Sequence, residues 1–146
     1  FLVNTINKLE KSSFWSNTAV VINYDDSDGW YDHVMGPIVS QSNTASDALT
    51  GVGSCGTAKA GAFEGRCGYG PRLPLIVISP FAKKNYIDNT VTDQSSIIRF
   101  IEDNWKLGRI GNQSFDALAG SINGMFNFND FDPNKVILNP QTGERV

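Results

Sequence analysis

The run Ala19-Val20-Val21-Ile22-Asn23-Tyr24 passes without a break into Asp25-Asp26-Ser27-Asp28-Gly29-Trp30-Tyr31-Asp32-His33. No other stretch limits the possible folds as tightly. Continuous β-branched apolar residues make a buried strand, because a half-exposed strand would alternate polar and apolar positions. Where that strand ends, carboxylates, a glycine, two aromatics and the single histidine of the chain are crowded into nine residues. Ligand chemistry in layered α/β folds collects at the carboxyl ends of strands, so the junction is the candidate site.

Asp25 and Asp26 are neighbours, and neighbours in a regular strand point to opposite faces. They converge on one ligand only if the backbone has already left the strand, a departure that Gly29 eases. Carboxylate oxygens suit a hard divalent cation, which would polarise a phosphoryl oxygen or activate a nucleophile. The alternative is that the acidic residues cap a turn or the following helix. An EF-hand register fails: with Gly29 at the sixth position the first is Tyr24 and the twelfth is Met35, where a carboxylate is needed. His33 is a candidate catalytic residue because imidazole titrates near neutrality, and equally a hydrogen-bonding residue of an aromatic turn.

Composition narrows the function classes. A formal net charge of −3 without any Lys or Arg cluster removes the electrostatic footprint of a nucleic-acid binder. No apolar run approaches the roughly 18 residues that cross a bilayer. The apolar opening Phe1-Leu2-Val3, without an initiator Met, reads as the start of a piece of a longer protein. At 146 residues and 40% apolar composition, one core is the expectation.

Along the chain, Leu2, Ile6 and Leu9 share a helical face that Ser12-Ser13 ends. The segment from Met35 to Arg72 is rich in glycine and holds no sustained period, the mark of a long functional loop. Cys55 and Cys67 lie inside it and are expected to form a disulfide, worth about 3 kcal/mol for a loop of this size in the chain-entropy picture. Two free thiols are the alternative; two sulfurs alone are too few for a zinc site. A second buried strand runs from Leu73 to Pro80, expected to end at the same edge as the first. Thr92 to Ser95 starts a helix with Ile97, Ile98, Ile101 and Trp105 on one stripe, stopped at Gly108. Asp93 reads as a helix-start carboxylate and Ser79 as turn chemistry, since no G-x-S-x-G elbow surrounds it. Phe115, Leu118, Ala119 and Ile122 predict a shorter helix, and Val136 to Leu138 a short strand.

Three stretches together carry a resemblance. Val21 to Val34, Gly68 to Pro80 and Asp93 to Trp105, followed by Phe115-Asp116-Ala117-Leu118-Ala119-Gly120, resemble in order the signatures of bacterial phosphoesterases, the phospholipase C and acid phosphatase group of the alkaline phosphatase superfamily. The resemblance implies an α/β fold, a partial alkaline-phosphatase-like sandwich with a mostly parallel sheet flanked by helices and a long disulfide-stapled loop. It implies a secreted or periplasmic enzyme that hydrolyses phosphoesters at a divalent-metal site, with Asp25 and Asp26 as metal ligands. Trp30, Tyr31 and Tyr69 are rim residues on the same expectation. Ser27 stands where some relatives have a histidine, so no third ligand is carried over. The family's early Glu-Asn metal ligands, hydroxyl nucleophile and further histidines have no counterpart here. Residues 1–146 then correspond to the carboxyl-terminal part of one catalytic domain, inactive without the amino-terminal part of the same enzyme, with a phospholipid head group or a phosphomonoester as substrate. A secreted cation-binding module without catalysis is the competing expectation. Cys55→Ser should lower the thermal midpoint and speed proteolytic nicking of the 35–72 loop; unchanged values for both would dismiss the staple.

Overall fold

The computed structural model describes residues 1–25, 69–112 and 114–146. The chain divides into two compact units, one of residues 1–22, 75–90 and 121–146 and the other of residues 23–74 and 91–120. Among the described residues no helix is long and apolar enough to cross a membrane. Cys55, Cys67 and nearly all of the Met35 to Arg72 segment lie outside the described residues.

In the first unit, helix α1 spans Leu2–Lys11, as the apolar spacing predicts, and carries Lys8 and Lys11 in its last turn, where cations complement the carbonyl end. The Ser12 hydroxyl donates to the Leu9 carbonyl at 2.7 Å and closes the helix. Trp15, 6% exposed, then turns the chain into strand β1, Val20–Asn23, which pairs with strand β2, Leu75–Ile78. Both strands are shorter than the apolar runs that predict them; for the second, Pro74 and Pro80 near its ends leave no N–H to extend the ladder.

The pair is antiparallel, which corrects the expectation of a mostly parallel sheet for the strands described. Ser79, immediately after β2, donates its hydroxyl to the Thr18 carbonyl, just ahead of β1, at 3.0 Å. The end of β2 therefore meets the start of β1, and the two carboxyl ends do not share an edge. Continuous apolar residues report burial and not direction, so the sequence pattern serves either arrangement. The same Ser79 hydroxyl accepts from the Phe81 N–H at 3.2 Å, which confirms its reading as turn chemistry.

The rest of this unit is held by backbone pairing and aromatic contact. Asn127 N–H donates to the Phe81 carbonyl at 2.8 Å and Lys83 N–H to the Met125 carbonyl at 2.9 Å. This pairing brings Phe81 within 5.9 Å of Phe128 and 5.4 Å of Phe131, tilted in both cases, while Phe126 stacks on Phe128 at 5.2 Å. Ile122, 1% exposed, and Phe126, 5% exposed, are its innermost apolar side chains. Residues Val136 to Leu138 do not form a strand of the sheet; Leu138 makes an isolated antiparallel bridge with Arg145. Helix α1 grips this segment: the Asn7 amide donates to the Leu138 carbonyl at 2.7 Å, and the Asn7 oxygen accepts from the Leu138 N–H at 3.1 Å. One turn on, buried Glu10 accepts from the Val136 N–H at 2.7 Å.

The second unit is built on helix α2, Ser95–Trp105. Lys106 follows in the left-handed region with φ of 56°, and Gly108 at 78°, so the helix stops near the glycine that predicts its end. The predicted helix from Phe115 to Ile122 is not formed. A single 3₁₀ turn, Phe115–Ala117, stands in its place, because Asp116 is drawn inward with no exposed surface instead of facing solvent on a helix. Its carboxylate accepts from the Ile110 N–H at 3.1 Å. Arg109 bridges Glu102 at 3.0 Å and Asp103 at 2.6 Å, and Arg99 donates to the Ala119 carbonyl, so both ends of the 106–119 segment are tied to α2.

Two consequences are measurable. Asn7→Ala removes both partners of the Leu138 peptide groups and should cost about 1–3 kcal/mol in denaturant unfolding, where an unchanged midpoint would refute the tether. Asp116 holds its proton less tightly than the ordinary 3.8, mainly because the Ser114 hydroxyl bonds its carboxylate, with burial opposing and the Ile110 N–H adding to the effect. The unfolded chain thus binds this proton first as pH falls. The group's stabilisation is complete above 3.8 and is lost as pH drops through the lower folded value. Asp116→Asn should be less stable than the parent at neutral pH, and the gap should close in acid unfolding below pH 3.8.

Candidate active site

The chain leaves β1 at Asn23 and enters the acidic turn with Tyr24 and Asp25, both exposed. Nothing in a strand end by itself fixes the peptide planes of the next residues. Here they are fixed by Gln94. Its side-chain amide donates to the Tyr24 carbonyl at 2.9 Å and to the Asp25 carbonyl at 2.5 Å. A primary amide carries two N–H donors, so one side chain can serve two consecutive carbonyls.

Gln94 is in turn placed by the start of α2. The Asp93 carboxylate accepts from the Ser95 N–H at 2.7 Å and from the Ser95 hydroxyl at 2.5 Å. The buried Ser96 hydroxyl accepts from the Asp93 N–H at 3.0 Å, and the Ser96 N–H donates to the Asp93 carbonyl at 3.0 Å. This is the reciprocal logic of a capping box, with serine in the place usually held by glutamate or glutamine. Asp93 is therefore the helix-start carboxylate its position predicts.

Tyr69 joins the same neighbourhood. It is half-buried, and its phenol is pushed above its ordinary value of 10.0, first by burial and then by the adjacent Asp93 carboxylate, whose charge opposes a second negative charge. The phenol is thus a neutral hydrogen-bonding group beside the acidic turn. Tyr69, Asp93, Gln94, Tyr24 and Asp25 consequently lie in one locality of the second unit.

Of the residues singled out from sequence, Asp25 and Tyr69 are placed here. Asp26, Trp30, Tyr31 and His33 lie outside the described residues, as do Cys55 and Cys67. Among the described residues no group of three or more His, Cys, Asp or Glu could hold a metal ion. The Asp25 carboxylate is exposed, and among the described residues it takes no hydrogen bond or ion pair. Gln94 was invisible to sequence reasoning as a site residue. It lies within a helix-start motif, and nothing local signals that its amide reaches back across 69 residues to Asp25.

The chain is 35% identical over 127 residues to the non-hemolytic phospholipase C of Burkholderia pseudomallei, an alignment covering 81% of this chain and 18% of that protein. It is 31% identical over 119 residues to the hemolytic phospholipase C of Pseudomonas aeruginosa, covering 78% of this chain and 15% of that protein. Phospholipase C B of Mycobacterium tuberculosis is 27% identical over 121 residues, 82% of this chain and 23% of the relative. The chain therefore spans less than a quarter of the length of these relatives. The profile of the Phosphoesterase family matches residues 1–108, a stretch that takes in α1, both strands, the acidic turn and α2 with its Gln94 clamp. On that match and these identities, the chain belongs to the Phosphoesterase family.

Proposed function

We propose that the protein containing this chain hydrolyses phosphoester bonds of the phospholipase C or acid phosphatase type, and that residues 1–146 supply one wall of its active site. The observation that carries this reading is the clamped Tyr24-Asp25 turn at the end of β1, in a chain of the Phosphoesterase family. The names of the relatives favour a phospholipid head-group ester over other phosphoesters.

In this reading Asp25 and Asp26 hold a divalent cation. When bound, such a cation polarises the phosphoryl oxygens and offsets the charge that builds on them during displacement. The oxygen-only chemistry of the two side chains fits a hard cation. Gln94 keeps the turn in one shape, so Asp25 does not need to be reoriented when substrate arrives. Tyr69, held neutral, offers a hydrogen bond at the rim without adding charge that would repel a phosphate. His33 is a candidate proton carrier for the leaving group, and Trp30 and Tyr31 are candidate walls for the organic part of the ester.

The remaining first-contact groups, including the nucleophile, belong to the amino-terminal part of the same enzyme. Residues 1–146 alone are inactive on this view. The predicted disulfide and the resemblance both favour a secreted or periplasmic protein.

Assays of the full-length protein with a chromogenic phosphocholine ester and p-nitrophenyl phosphate, with and without added divalent metal, test the reading. Asp25→Asn should lower kcat/KM by about 100-fold or more while folding is retained, as expected for a ligand whose charge acts at the reacting centre. Cation binding by a full-length protein that hydrolyses neither ester would instead identify a binding module without catalysis.

A further inference from the structure

We infer that Gln94 is a positioning residue for the reaction: its side-chain amide sets the root from which the Asp25 carboxylate projects by holding the two carbonyls on either side of the Asp25 Cα. The inference rests on the reading above that Asp25 acts at the phosphoester site.

Three observations support it. The two bonds go to consecutive carbonyls, at 2.9 and 2.5 Å, so they fix the tilt of two successive peptide planes and not merely the position of one atom. The Asp25 side chain branches from the backbone between those planes, so the direction of its Cα–Cβ bond follows theirs and the rotamers open to the carboxylate start from one fixed root. The donor is itself anchored: Asp93, Ser95 and Ser96 lock the first turn of α2 through four hydrogen bonds, so Gln94 projects from a rigid base. Finally, the Asp25 carboxylate has no partner of its own among the described residues, so this backbone clamp is the described contact that can orient it. Gln94 is exposed, and two bonds from an exposed amide contribute little to stability, which leaves placement as their consequence. Groups that orient a metal ligand or catalytic carboxylate typically cost 10- to 100-fold in affinity or rate, roughly, when removed.

The test uses the full-length enzyme and three variants. Gln94→Met keeps length and volume without a donor. Gln94→Glu keeps shape, and donates only when its carboxyl is protonated. Asp25→Asn reports on the underlying reading. Measurements are steady-state hydrolysis of a chromogenic phosphocholine ester and calorimetric titration of Mn²⁺ into chelator-stripped protein. Gln94→Met should lower kcat by about 10- to 100-fold, with KM nearly unchanged and Mn²⁺ binding weakened by a similar factor. Gln94→Glu should match it at about pH 8 and regain part of its activity relative to the parent as pH falls to about 4, where most of the carboxyl is protonated and carries one donor in place of the amide's two. A merely structural role would instead show as a lowered thermal midpoint, with kcat and Mn²⁺ affinity of the folded protein unchanged.

Gln94→Met within about twofold of the parent in both kcat and Mn²⁺ affinity, while Asp25→Asn is inactive, would overturn the positioning role and leave the function intact. Full activity in Asp25→Asn would overturn the function and the positioning role together. If Gln94→Met fails to fold, the pH-dependent ratio of Gln94→Glu decides: recovery in acid supports the role, and a flat ratio refutes it.

Discussion

The first turn of α2 is the constraint on which the described part of the site depends. A helix start leaves N–H groups without partners, and here the Asp93 carboxylate accepts from the Ser95 N–H and the Asp93 carbonyl from the Ser96 N–H, while the Ser96 hydroxyl reaches back to the Asp93 N–H. That closure gives Gln94 a fixed origin, and Gln94 gives the acidic turn a fixed backbone. Tyr69 bonds to the same Asp93, and burial first and then that carboxylate's charge raise the phenol above its ordinary 10.0. One capping carboxylate therefore serves three ends: helix initiation, placement of a clamp, and control of a neighbouring hydroxyl.

The far end of the same helix is closed by charge. Arg109 returns to Glu102 and Asp103, and Asp116 takes the Ile110 N–H, so the segment after α2 is tied by side chains where regular structure is missing. Glu102 and Asp116, both buried, are tolerable because each has a charged or N–H partner. The apolar stripe of α2 is less covered than its pattern implies: Ile98, Ile101 and Trp105 are 42%, 44% and 63% exposed among the described residues.

What sequence could and could not reveal follows from the range of the interactions. α1, β1, β2 and α2 were legible because each is written in a local period or a continuous apolar run, with proline or glycine at the ends. Strand direction was not, since Val20 to Asn23 and Leu75 to Ile78 would look the same in either orientation. The 115–122 segment misled because Phe115, Leu118, Ala119 and Ile122 satisfy a helical spacing, whereas the burial of Asp116 is decided by Ser114 and the Ile110 N–H. The acidic turn was conspicuous as composition, but its clamp was not, because an amide that bonds backbone carbonyls 70 residues away leaves no pattern in either segment.

The grip of α1 on Leu138 has one further consequence. By matching both the N–H and the carbonyl of Leu138, the Asn7 side chain behaves like the backbone of a neighbouring strand. Leu138 already bridges Arg145 on its other side, so an extended, partly apolar segment that could template another chain has its hydrogen-bonding groups occupied at that residue. A single helical amide thus occupies at Leu138 the backbone groups that an open edge would leave unpaired, a task more often given to another strand.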